Sequence, residues 1–378
     1  MIREKRYNIR KKAAALSVAA ALIIGSVFGV SINTHAAEYA VTPTSAVLYT
    51  GNGAEVFAKP DPSTVVTAMP GNVPIQVTGT TSNGYFQVAI NNAFYYMYNK
   101  ALSVSTGTTA YKLTSIDAKS ALVGDAATGQ LIYAQNPYQR LAPASTTKIM
   151  TVLLVMDAIS RGQLALDTPV MVSPTALSGI PLDASHVSPR LQAGEVMNVL
   201  ELLECVMLAS DCHACNVLAE AVAGSVDNFV VMMNARAAAL GCTETNFLNT
   251  SGYPQEGHYT NAYSLFLITR EAYKYPAFQT ISAFTTAQIP ATNLSPARNL
   301  ETTNALIKAS EYYNPYVVGG KTGSSNSSGL CMVSIARKND KNVITVVLGA
   351  NNSLMSDGTR KRQQFSETNK LIDIGLAN

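Results

Sequence analysis

Ser145 and Lys148 stand three residues apart at the head of an apolar run, Ile149 to Met156. On a helix that spacing puts both side chains on one face, about one turn apart. A serine hydroxyl is a poor nucleophile at neutral pH and needs a base within hydrogen-bond reach. A buried lysine serves as that base when desolvation and nearby cations favour its neutral form. The first helical turn also offers free backbone N–H groups to a developing oxyanion. Alone, the same pattern also describes an ordinary capped helix with its lysine in solvent. The rest of the chain has to supply partners.

Two further short motifs follow in order, Ser210-Asp211-Cys212 and Lys321-Thr322-Gly323. The elements around them are legible. Ser120 to Tyr133 reads as a hairpin, with an Asp/Thr/Gly turn between two apolar strands. Asn136 to Ala144 connects it to the helix that Ser145 begins. Leu200 to Ala223 is helical and interrupted at Ser210-Asp211-Cys212. Asp227 to Leu240 is a helix stopped by Gly241, and Tyr263 to Tyr275 is another. Val317 leads into Lys321-Thr322-Gly323. Leu330–Ala336 and Val343–Leu348 are buried strands turning at Lys338-Asn339-Asp340, and Glu367 to Ile374 closes the chain as a helix. Strands at both ends with helices between define an α+β domain whose sheet is built from its two termini.

Composition bounds the class. The chain of 378 residues is 47% apolar and 13% charged, a globular composition with a large core. Six basic residues, Arg3 to Lys12, precede an apolar run from Ala13 to Ile32 and the small-residue site Thr34-His35-Ala36-Ala37. This is a signal peptide, residues 1–36, cleaved after Ala36 with Ala37 as the alternative. Its rival is an uncleaved anchor, the only expected link to a membrane. No cysteine near the site points to a lipoprotein. Removing the leader takes six of the 27 basic and one of the 24 acidic residues, leaving 21 and 23. That slightly acidic balance argues against nucleic-acid binding by bulk charge. The five cysteines are an odd number and have no second metal-ligand pair beside Cys212-x-x-Cys215, so no metal or organic cofactor is expected.

Residues 38–104 alternate apolar and polar between turns at Gly51-Asn52-Gly53, Met69-Pro70-Gly71 and Ser82-Asn83-Gly84, which predicts a small all-β barrel. The order Val47-Leu48-Tyr49, Met69-Pro70-Gly71 and Asn83-Gly84-Tyr85-Phe86-Gln87-Val88 resembles a bacterial SH3-like domain. Such domains often bind peptidoglycan; the plainer alternative is a spacer. A Ser/Thr/Gly-rich linker, 105–114, separates it from residues 115–378.

The three motifs together are the signature of penicillin-binding proteins and class A β-lactamases. The chain from about residue 115 onward closely resembles the D-alanyl-D-alanine carboxypeptidase family, serine peptidase family S11. The resemblance is carried by Asp125–Gly129, Leu141–Lys148, Met233-Asn234, Leu240-Gly241, Thr245-Asn246-Phe247, Gly257–Thr260, Thr303-Asn304 and Lys321-Thr322-Gly323. It implies a penicillin-binding/β-lactamase-like fold, an antiparallel sheet with a helical cluster. It also implies peptidoglycan stem peptides as substrate and β-lactams as covalent inhibitors.

Carried over residue by residue, Ser145 is the nucleophile and Lys148 its general base, held neutral by the charge of Lys321. Ser210 relays the proton to the leaving D-alanine nitrogen. Lys321, Thr322 and Ser324 receive the substrate carboxylate, and Gly323 lets the substrate backbone approach. The backbone N–H groups of Ser145 and Ser324 form the oxyanion hole. Cys212 stands where the family usually carries asparagine, and is expected to line the cleft beside Ser145. His258 fits a structural loop position and His186 has no partner pattern. Glu244 lies one residue too far from Leu248-Asn249 to match the deacylating glutamate of class A β-lactamases, and reads as a surface residue.

These residues imply a secreted, wall-associated D,D-carboxypeptidase. Its rivals are a transpeptidase or endopeptidase of the same chemistry, and a catalytically impaired wall-binding protein. The C-terminal β-domain and membrane helix that many members carry are not expected after Asn378.

Overall fold

A computed structural model describes residues 41–50, 54–69, 74–81, 84–90, 93–98, 102–103, 116–242, 244–351 and 362–377. The expected signal peptide and linker lie outside them. The chain divides into two compact units, Met1–Ala110 and Tyr111–Asn378.

In the first unit, strands β1 (Val41–Thr50), β2 (Ala54–Phe57), β3 (Val65–Met69), β4 (Pro74–Thr81), β5 (Tyr85–Ile90), β6 (Ala93–Tyr98) and β7 (Leu102–Ser103) make one antiparallel sheet. Its order is β3-β2-β6-β5-β4-β1-β7. Period-two alternation turns Val56, Ile75, Val77, Val88 and Met97 to a common core. Tyr85 stacks on Tyr98 with ring centroids 4.4 Å apart, and Phe57 meets both edge-on.

The second unit is built on a five-stranded antiparallel sheet. Strands β8 (Ser120–Asp125) and β9 (Leu131–Gln135) come from its start. Later in the chain come two small hairpins, β10 (Pro169–Met171) with β11 (Val196–Asn198) and β12 (Thr286–Ile289) with β13 (Arg298–Glu301). Strands β14 (Val317–Ser325), β15 (Gly329–Lys338) and β16 (Lys341–Ala350) come from its end, and the sheet runs β14-β15-β16-β8-β9. β8 and β16 pair along their length, Val343 with Asp125 through Leu348 with Ser120. The sheet therefore joins the two ends of the unit, as its apolar runs predict.

The helices are α1 (Lys148–Ser160), α2 (Val199–Glu204), α3 (Cys212–Ala223), α4 (Val226–Ala239), α5 (Ala262–Ala272), α6 (Pro276–Ser282) and α7 (Gln363–Leu376). α5 and α7 cover opposite faces of the sheet. The Phe266 ring fills the space a Cβ would take at Gly124, and Gly375 lets α7 settle on Val123 and Val343. α1 is buried from Lys148 to Ala158 on every side, so it is the central post of the helical half.

Two local differences from the sequence expectation matter for the site. Ser145 does not begin the α-helix: Ala144–Thr147 is a tight 3-10 turn, and α1 starts at Lys148. The interruption before α3 is also more specific than a break. A π-helical turn, Cys205–Ala209, ends at Ser210, which adopts the left-handed conformation at φ 64°.

Candidate active site

The turn that carries Ser145 is set by what lies beneath it. Ala144 has φ 47°, and its carbonyl presses on Gly252, where a Cβ would stand 1.8 Å from that oxygen. Gly252 itself has φ 77°, so glycine meets both demands at this position. Thr146 Oγ1 donates to Pro143 O at 2.7 Å and closes the turn. Thr151 on α1 donates to Thr250 O, which ties the helix to the same Thr250-Ser251-Gly252 segment.

Lys148 is fully buried. Its Nζ lies 3.0 Å from Ser145 Oγ, 2.8 Å from Ser251 O and 3.4 Å from Cys212 Sγ. The serine–lysine pair is thus in direct contact, and Cys212 lies against the lysine. The Ser251 carbonyl is a partner that sequence reasoning missed. Nothing in a Thr-Ser-Gly string signals it, because the contact joins residues 103 positions apart.

On the facing side, Lys321 Nζ donates to Ser210 Oγ at 2.9 Å and to Thr322 O at 3.1 Å. Burial, with the charge of Lys148 added, lowers the Lys321 ammonium from 10.5 to about 7. The expectation made Lys321 the fixed charge of the pair. Among the described residues its hydrogen-bond partners are neutral oxygens, so its own charge is costly. Near neutral pH the two-lysine pocket therefore holds less than two full charges.

Ser210 carries backbone strain, on the order of 1–3 kcal/mol for a non-glycine residue in this region. Its surroundings hold it there. The Asp211 N–H donates to Cys205 O at 3.0 Å, closing the π-turn. The buried Asp211 carboxylate accepts from Ala214 N at 2.9 Å and caps α3. Its other oxygen accepts from His186 N at 2.8 Å and Ser185 Oγ at 3.1 Å. His186 Nδ1 donates to Ser210 O at 2.9 Å. His186, without a partner in the sequence reading, thus touches the motif directly.

The Lys321 strand lies close against the Ser145 turn. A Cβ at Gly323 would stand 3.0 Å from both Pro143 O and Ser145 N. Thr322 Oγ1 pairs with Thr303 Oγ1 at 2.6 Å, and Thr303 N donates to Leu208 O at 3.2 Å. Thr303 therefore links Thr322 to the turn that precedes Ser210. Ser324 follows on the same strand with its side chain exposed.

His258 is buried beneath the turn. Its Nδ1 accepts from Leu248 N at 3.1 Å, which leaves the Nε2 hydrogen for Thr147 Oγ1 at 3.0 Å. Burial pushes its pKa down to about 4, so it is a neutral structural residue. Glu244 pairs with Arg140 at the surface. All five cysteines are free thiols; burial raises Cys215 to about 12 and Cys242 and Cys331 to about 11. Among the described residues no group of three or more His, Cys, Asp or Glu side chains is placed to hold a metal.

Residues 106–352 match the profile of peptidase family S11, D-alanyl-D-alanine carboxypeptidase. The chain is 34% identical over 263 residues to the D-alanyl-D-alanine carboxypeptidase DacF of Bacillus subtilis (strain 168), a match covering 69% of this chain. It spans 62% of that relative's length. It is 29% identical over 294 residues to DacC of Escherichia coli (strain K12), covering 76% of this chain and 68% of the relative. Among solved structures, the Streptomyces K15 DD-transpeptidase superposes with a TM-score of 0.62 at 26% identity, covering 70% of this chain and 99% of that one. Solved variants of that transpeptidase replace a serine and, two positions on, a cysteine.

Proposed function

The chain belongs to the D-alanyl-D-alanine carboxypeptidase family of serine peptidases, and from that premise we propose that it removes the terminal D-alanine from peptidoglycan stem pentapeptides. The observation that carries this reading is the 3.0 Å contact between Lys148 Nζ and Ser145 Oγ in a buried pocket. As the unprotonated amine, Lys148 spends its two hydrogens on Ser251 O and Cys212 Sγ. Its lone pair then faces Ser145 Oγ, ready to take the hydroxyl proton.

Ser145 Oγ attacks the carbonyl carbon of the penultimate D-alanine as its proton passes to Lys148. The developing oxyanion takes hydrogen bonds from the backbone N–H groups of Ser145 and Ser324. Collapse breaks the C–N bond. Ser210 gives its proton to the departing D-alanine nitrogen and regains one from the Lys321 ammonium at 2.9 Å. Lys321, Thr322 and Ser324 receive the terminal carboxylate. Water then attacks the ester carbonyl as its proton passes through Ser210 to the Lys321 amine, and the Lys148 ammonium returns its proton to the departing Ser145 Oγ, which restores the free enzyme. A β-lactam enters by the same attack, but its leaving nitrogen stays tethered, so the acyl-enzyme persists.

Labelling by a fluorescent penicillin tests this chemistry. The wild type takes the label and Ser145→Ala loses it; an unlabelled wild type overturns the reading. A second reading, D,D-transpeptidase, is favoured by the likeness to the Streptomyces K15 enzyme and by the shared serine–cysteine spacing. D-alanine release from a pentapeptide supports the first reading, and dimer formation with an added amine supports the second.

The N-terminal leader fits secretion with cleavage after Ala36, and residues 38–104 fit an SH3-like module that holds the enzyme on the wall. Deleting 38–104 is expected to reduce co-sedimentation with purified wall while leaving penicillin labelling intact. Equal sedimentation of both forms would make this unit a spacer.

A further inference from the structure

The hydroxyl of Ser210 is aimed by a residue whose backbone is strained and whose carbonyl has an uncommon partner. His186 Nδ1 donates to Ser210 O at 2.9 Å while its own N–H donates to the Asp211 carboxylate at 2.8 Å. One residue thus holds both the Ser210 carbonyl and the Asp211 side chain. Its side chain is exposed, so it fills no core and its grip on Ser210 is the specific thing it does.

The loop that presents His186 is itself anchored. Arg298 on β13 is buried and donates to Pro189 O at 2.6 Å and Arg190 O at 3.3 Å. It forms a fully buried ion pair with Glu195, 2.7 Å from Nη1 to Oε1. Glu195 in turn accepts from Gln192 N at 3.0 Å and Thr292 Oγ1 at 2.8 Å. Both ends of the 189–195 segment are therefore fixed to β13 and its neighbouring loop. The other approach to Ser210, the Leu208 carbonyl, is held by Thr303 N just past the same strand. β13 thus braces the turn from two directions, one of them through His186.

We propose that His186 is a positioning residue: it holds Ser210 in the left-handed conformation that points its hydroxyl at Lys321. The inference rests on the acyl-transfer reading above, in which Ser210 carries the proton. Removing the imidazole frees the Ser210 carbonyl to turn toward solvent, and the hydroxyl leaves Lys321. Asparagine at 186 keeps a donor at the place of Nδ1 and preserves the grip.

The test is a double-mutant cycle on the rate of acylation by fluorescent penicillin. His186→Ala is expected to slow acylation about tenfold, the effect of about 1.4 kcal/mol in a barrier. His186→Asn restores most of it. In a Ser210→Ala background, His186→Ala changes nothing further, because the hydroxyl it positions is gone. Equal losses in both backgrounds would show that His186 acts elsewhere, and full activity of His186→Ala would remove its role. Either result leaves the labelled wild type, and so the enzymatic reading, intact. A wild type that takes no label overturns both.

Discussion

Lys321 Nζ lies 2.9 Å from Ser210 Oγ with both residues almost sealed from solvent. A cation in that position has two consequences with opposite pH dependence. Its pKa of about 7 means that it is charged below neutrality and loses its charge above it. The preference for a peptide ending in a free carboxylate over the same peptide amidated is expected to fall as pH rises past about 7. Stability moves the other way. The unfolded lysine titrates near 10.5, so between about 7 and 10.5 the unfolded chain binds the extra proton and folding gains as pH rises. Urea melts of wild type and Lys321→Met measure this: the gain belongs to the wild type alone.

His258 gives an acid-side dependence. Its folded pKa, about 4, lies below the 6.5 of the free side chain. Between those values the unfolded state holds the proton, so stability is lost as pH falls from about 6.5 to about 4. At about 1.4 kcal/mol per unit the loss is on the order of 3 kcal/mol. His258→Gln is expected to flatten this part of the stability–pH curve.

Gly323→Ala brings a methyl group to 3.0 Å from Ser145 N and Pro143 O. Strand and turn must part slightly, which misplaces the nucleophile against the N–H groups that face the oxyanion. Acylation is expected to fall about a hundredfold. The melting point reports only a modest loss, about 1–3 kcal/mol of overpacking. Rate measurement beside thermal melting separates the two effects.

Cys212 Sγ touches Lys148 Nζ at 3.4 Å, so a bulky maleimide on this thiol blocks the base. Penicillin acylation of the modified wild type is expected to collapse, while Cys212→Ser, treated in the same way, keeps its rate. Burial holds Cys205, Cys215, Cys242 and Cys331 in the unreactive thiol form, and the Cys212→Ser control reads any effect of label on them. Unchanged acylation after complete modification of Cys212 would place the thiol outside the working cleft.

Arg298→Met leaves the Glu195 carboxylate buried without its cation, and is expected to cost about 3–5 kcal/mol. Replacing both residues, Arg298→Met with Glu195→Gln, recovers a large part, because the uncompensated charge is gone. Chemical denaturation of the three proteins reads the difference. A single mutant as stable as the wild type would mean that the pair contributes nothing.

What the sequence disclosed follows from how local its signals are. Ser145-x-x-Lys148, Ser210-Asp211-Cys212 and Lys321-Thr322-Gly323 are short strings, and the strands and helices around them have plain periodicity. His186, Ser251, Thr303 and the Arg298–Glu195 pair were not legible as parts of the site. Each acts through a loop contact with a residue far along the chain, and loops of this kind carry no repeating pattern. The 3-10 form of the Ser145 turn was hidden for a related reason: it is imposed by Gly252, which lies more than a hundred positions away.

The pairing of β8 with β16 makes the sheet a seam between the earliest and latest parts of the catalytic unit. Ser145 is made early, but the strand carrying Lys321 and the strand closing the sheet come last. A chain halted partway through synthesis has Ser145 and lacks the strand against which its turn is packed. Ser145 is therefore set against Lys321 only once β14 to β16 have been made.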